Sequence, residues 1–130
     1  MNAYRNLNEK EIQILTSQNC SAESWDSIKV KEGFDAHKVV NTKFTGTIKL
    51  GNFNNCYCLE GGLKRESGIY NAKIHNCTIG DDVYIGDIRN YIANYQIGNN
   101  TYIENIDLLF CIHLPPDLCF QLKIVSILLS

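Results

Sequence analysis

Aliphatic residues return every six positions near the middle of this chain, and that spacing limits its possible folds more than any other feature. The stretch reads Ile79-Gly80-Asp81-Asp82-Val83-Tyr84, then Ile85-Gly86-Asp87, and later Ile97-Gly98-Asn99-Asn100-Thr101-Tyr102, then Ile103-Glu104-Asn105. Val83 with Ile85, and Thr101 with Ile103, are two apart, which is the strand period, so both members of each pair point to one face. Between the pairs, Gly80-Asp81-Asp82 and Gly98-Asn99-Asn100 offer residue types that tolerate positive φ and bond to their own backbone. Each unit therefore reads as a very short strand plus a corner. Such a unit cannot bury its own apolar face and must stack on its neighbours.

The pattern starts before its best stretch. Phe44, Leu50 and Cys56 are six apart, and Ile48 with Leu50 makes a two-apart pair. The frame is lost over residues 60–68, a charged, glycine-rich segment that reads as a loop leaving the stack. Ile69, Ile74 and Ile79 then follow at five-residue spacing, as if the corners were one residue short. Ahead of the repeats, Asn8 followed by Glu11 is the signature of a capped helix start. A second short helix is expected from Ser21, with Trp25 and Ile28 on its apolar side and Trp25 anchoring it to the core. Gly33 marks a turn.

The hexads at Ile79 and Ile97 resemble the bacterial transferase hexapeptide-repeat superfamily. That resemblance implies a mainly β fold: a left-handed parallel β-helix of triangular section, with a short helical N-terminal segment. The expected organisation is a helical segment or cap over 1–40, the β-helix over 41–109, and an apolar tail over 110–130. The tail reads either as an unusual cap or as foreign to the solenoid of a truncated longer chain. Residues 4–108 are also similar to an uncharacterised bacterial repeat family of longer chains, a domain of unknown function. That similarity is carried by Glu60-Gly61-Gly62 and by Ser67-Gly68-Ile69-Tyr70-Asn71 running into Asn76-Cys77-Thr78-Ile79-Gly80.

A net charge of −2 gives no electrostatic reason to expect nucleic acid as a partner. No stretch is long and uninterrupted enough for a membrane span. The N-terminus lacks the apolar core of a signal peptide, so the six cysteines read as reduced thiols in a cytoplasmic protein.

The superfamily resemblance implies a homo-oligomer, a trimer, and acyl transfer from acyl-CoA to a sugar or amine acceptor, with no cofactor held permanently. In such chemistry a neutral imidazole removes the acceptor's proton. Of the three histidines, His75 is the candidate, since His37 precedes the repeats and His113 lies in the tail. Glu60, or Glu66, would orient its ring. Lys64 and Arg65, beside Gly61 and Gly62, would meet a cofactor phosphate. The alternatives are a non-catalytic scaffold for oligomerisation, with Tyr84, Tyr91, Tyr95 and Tyr102 as contact area, or an inactive fragment of a longer repeat protein. Cys56, Cys58, His75 and Cys77 are zinc-ligand types, but their spacing is no zinc signature, and no metal site is expected.

Overall fold

The computed structural model describes residues 4–58, 60–105, 108–110, 121–122 and 127–128, with side chains described for 4–58 and 61–105. His113, Cys111, Cys119 and the proline pair lie outside the described residues. In chain order the elements are β1 (Tyr4–Asn6), α1 (Glu9–Ser17), β2 (Ser21–Ala22), β3 (Ile28–Lys31), β4 (Val39–Thr45), β5 (Ile48–Leu50), β6 (Cys56–Cys58) and β7 (Lys64–Glu66). They continue with β8 (Gly68–His75), β9 (Thr78–Ile79), β10 (Tyr84–Gly86), β11 (Tyr91–Ala93), β12 (Gln96–Ile97), β13 (Tyr102–Glu104), β14 (Leu108–Phe110), β15 (Gln121–Leu122) and β16 (Ile127–Leu128).

Two sheets enclose one apolar interior. The first runs β1-β3-β5-β9-β12-β15, parallel throughout except for the antiparallel β1–β3 pair. The second runs β14-β11-β8-β10-β13-β16, with β4 beside β8 and β2 beside β4. Three apolar rows fill the space between them. Val30, Leu50, Ile79 and Ile97 stand in register. So do Val39, Ile69, Ile85 and Ile103, and Phe44, Ile74 and Ile92. All of them are at most 2% exposed, so the returning isoleucines do share one interior.

The single left-handed parallel β-helix with a helical N-terminal segment is not what forms. Sheets of mixed parallel and antiparallel type, with little helix, take its place. Residues 1–40 contain α1, but they also supply β1, β2 and β3 to the two sheets. Ser21–Ala22 pairs with β4 instead of starting a helix, and only a 3-10 turn, Trp25–Ser27, follows. The reason lies in Ile28-Lys29-Val30-Lys31, whose alternation buries Ile28 and Val30 against the sheet. Trp25 is half-buried against the core, as an anchor would be. Helix α1 has the cap its sequence implies: Glu11 N–H donates to Asn8 Oδ1 at 2.8 Å, and Asn8 N–H donates to Glu11 Oε1 at 3.0 Å. Residues 60–68 are not simply an excursion, because β6 and β7 form an antiparallel hairpin that returns to the sheet.

The corners explain the altered spacing. Among the described residues every non-glycine with positive φ is Asn or Asp, the types that adopt this region most readily. Asn71, at φ 57°, lets β8 turn after a single residue, which shortens the Ile69-to-Ile74 interval. The corner side chains also bond to one another. Asn19 donates to Asn41 at 2.6 Å, Asn41 to Asn71 at 2.9 Å, and Asn71 to Asp87 at 3.0 Å. Asn71→Gly keeps the conformation and loses both side-chain bonds, at about 1 kcal/mol. Asn71→Ala adds about 1–2 kcal/mol of left-handed strain. Urea denaturation should therefore rank wild type above Gly, and Gly above Ala.

Candidate functional site

Strand alternation puts Phe44 and Ile74 inside and Lys43, Thr45, Lys73 and His75 on the outer side, with Ile92 also inside. On the outer face, Ser21, Lys43 and Lys73 are successive register partners, and Thr45 lies beside His75. Lys43, Thr45, Lys73, His75, Asn90 and Tyr91 line a cleft of about 180 Å³. Lys43 and Lys73 also border a polar groove of about 340 Å³ lined by Asn19, Ser21, Asn41 and Asn71.

His75 is half-buried and held at both ring nitrogens. Nδ1 lies 2.8 Å from Thr45 Oγ1, and Nε2 lies 3.1 Å from Asn76 Nδ2. Asn76 Oδ1 accepts the Thr47 N–H at 2.8 Å, which turns the amide nitrogen toward the ring. An amide nitrogen only donates, so Nε2 accepts and the proton sits on Nδ1, donated to Thr45; the tautomer is assigned from these partners. Of the two carboxylates expected to orient the ring, Glu66 pairs with Lys38 at 2.9 Å instead. Glu60 opens the turn Glu60–Gly62, and its side chain lies outside the described residues. Lys64 is exposed on the hairpin. Arg65 does not join the His75 cleft but reaches Glu104, with Nε 3.6 Å from Oε2. Cys56 and Cys58 are exposed free thiols on β6, while Cys77 is buried; no metal-ligand cluster exists among the described residues.

The hairpin covers a tyrosine cluster that the sequence did not reveal as buried. Tyr84 and Tyr102 stack at 4.6 Å with an interplanar angle of 12°, Tyr57 meets Tyr102 edge-on at 5.4 Å, and Tyr70 tilts against Tyr84 at 5.6 Å. Glu104 accepts from Tyr102 at 2.9 Å and from Tyr84 at 3.4 Å. Tyr84 and Tyr102 are only 5% and 3% exposed, so within this chain they serve packing more than surface contact. Tyr91 lines the cleft and Tyr95 packs against the core.

Burial, with the Glu104 carboxylate nearby, pushes the Tyr84 phenol up to about 12, and Tyr102 is raised by the same causes. A phenol raised by folding stabilises the fold fully below its unfolded value of 10.0, and that contribution is lost as pH climbs through about 12. Tyr84→Phe should therefore shrink the loss of stability between those pH values by about 2–3 kcal/mol, read from urea midpoints across the range. An unchanged alkaline profile would mean the ring is not buried as described.

Among the described residues no helix is long and apolar enough to cross a membrane, a finding that says nothing of β-barrels. A family model described as a domain of unknown function (DUF4954) matches residues 4–114. The match is to that family and not to a hexapeptide-repeat transferase family, which overturns the superfamily resemblance drawn from the Ile79 and Ile97 hexads. An uncharacterized protein of Treponema pallidum (strain Nichols) is 26% identical over 105 residues, covering 81% of this chain and 14% of that protein. The chain thus spans a small part of the length of this curated relative. No solved structure matches.

Proposed function

We propose, on the premise that the chain belongs to the DUF4954 family of unknown function, that it is a rigid, non-catalytic scaffold region on which copies of the chain assemble. The observation that carries this reading is how the polar side chains are used. Asn19, Asn41, Asn71 and Asp87 link successive strands at one corner. Glu104 is committed to Tyr84, Tyr102 and Arg65, and Glu11 to Arg5 and Asn8. These groups fasten strands and helix together. A cytoplasmic setting belongs to the proposal, since the exposed thiols of Cys56 and Cys58 suit a compartment where glutathione keeps cysteines reduced. Light scattering and an acetyl-CoA thiol-release assay test the reading together. The expected result is a mass that is a multiple of 14.7 kDa with no thiol release above the blank. A single-chain mass, or steady release of CoA thiol, would overturn it.

Acyl transfer is the second reading, and the His75 cleft favours it. The imidazole Nε2, on exchanging its Asn76 contact for the acceptor, would take the proton of an acceptor hydroxyl or amine, which attacks the acyl-CoA thioester carbonyl and expels the CoA thiolate. Thr45, in place of a carboxylate, would hold Nδ1. Under this reading His75→Ala abolishes thiol release and Glu66→Ala does not.

A further inference from the structure

Lys43 and Lys73 are direct register partners on the parallel strands β4 and β8. Strand spacing puts their stems about 4.8 Å apart on one face. Like charges so placed repel and destabilise the pair. Elsewhere Lys31 pairs with Asp81, Lys38 with Glu66 and Lys29 with Asn6, and Lys49 lies over the Tyr4 ring, while among the described residues Lys64 stands alone on the hairpin, away from any like charge in register. Neither Lys43 nor Lys73 has an ion pair or hydrogen-bond partner among the described residues, although both are exposed to recruit one. They lie between two concavities, the polar groove of about 340 Å³ and the His75 cleft of about 180 Å³. Groove-lining Asn41 and Asn71 each spend one amide N–H on the corner ladder, and each amide has a second.

We infer that this paired-lysine groove binds a small phosphate monoester, with the phosphate between the two ammonium groups and the organic part in the adjoining cleft. A phosphate dianion balances two cations and accepts from several donors at once. The larger concavity is at the lower end of the range for small-molecule sites. A polyanion fits less well, because among the described residues two uncompensated cations line the groove and the chain as a whole carries −2. This inference is independent of the scaffold reading and of acyl transfer, since it needs neither assembly nor turnover.

The test titrates the whole chain, at constant ionic strength, with a hexose 6-phosphate, the unphosphorylated hexose, inorganic phosphate and a short single-stranded DNA oligonucleotide, followed by amide NMR shifts. The hexose phosphate should perturb residues around Lys43 and Lys73 and bind at least about tenfold more tightly than the free hexose. Lys43→Gln and Lys73→Gln should each weaken it by roughly tenfold, while Lys43→Arg retains it. Each Gln variant should also melt at or above the wild-type temperature, because it removes a repulsion. Absence of phosphate binding, binding indifferent to both Gln variants, or tighter binding of the oligonucleotide would each overturn the inference.

Discussion

Ile85→Ala is expected to lower the stability of this chain by about 3 kcal/mol. Ile85 is fully buried, between Ile69 and Ile103 in the same row, and those neighbours are fully buried as well. Truncation loses the transfer free energy of the deleted carbons and leaves a cavity that short, paired strands on both sides cannot close. The matching control is Leu63→Ala on the hairpin, where the side chain is 54% exposed and the change should stay within about 0.5 kcal/mol. Urea denaturation of both variants measures the difference. A loss under about 1 kcal/mol at Ile85 would mean the row is not packed as described.

Gly68→Ala should cost about 3 kcal/mol or more, from two separate sources. The residue has φ +144°, where an L side chain is strained. A Cβ there would also be driven into the Lys38 carbonyl oxygen, and would sit 2.8 Å from the Tyr70 hydroxyl. The Lys38 oxygen is backbone, close to β4, so it cannot swing aside as a flexible side chain would. Gly68 N–H also donates to Val83 O at 2.8 Å, so displacement of this residue disturbs the approach to β10. Gly61 separates strain from crowding. It too has positive φ, but a Cβ there meets nothing within 4 Å, so Gly61→Ala should cost only about 1 kcal/mol. Equal losses at the two glycines would contradict the crowding at Gly68.

Local signals were legible in the sequence, and those set by distant partners were not. The two-apart pairs around Ile85 and Ile103 and the Asn8–Glu11 cap depend on residues a few positions apart, and each forms as its spacing implies. The β1–β3 antiparallel pair depends on contact between residues such as Arg5 and Val30, which share no repeat. Residues 60–68 lack apolar periodicity because their reason for folding lies elsewhere, in Arg65 on Glu104 and in Tyr57 against Tyr102 and Asp82. For the site, His75 was visible as a histidine beside a lost frame, but its partner Thr45 lies thirty positions earlier. Lys43 and Lys73 share that separation, which falls across the segment where the six-residue frame disappears. The useful signal was the asparagines: Asn41 and Asn71, each two residues before one of these lysines, mark equivalent corners. The helix expected from Ser21 failed for a related reason, since the alternation in Ile28–Lys31 answers to a neighbouring strand.

Native-state hydrogen exchange at the amides of residues 79, 85, 97 and 103 is the most direct measurement of whether the returning isoleucines build one rigid interior. These positions lie in β9, β10, β12 and β13, which belong to both sheets. All four amides should exchange only through global unfolding, with the same protection free energy and the same response to denaturant. Fast or independent exchange at the residues of either sheet would show that the rows do not form a common core.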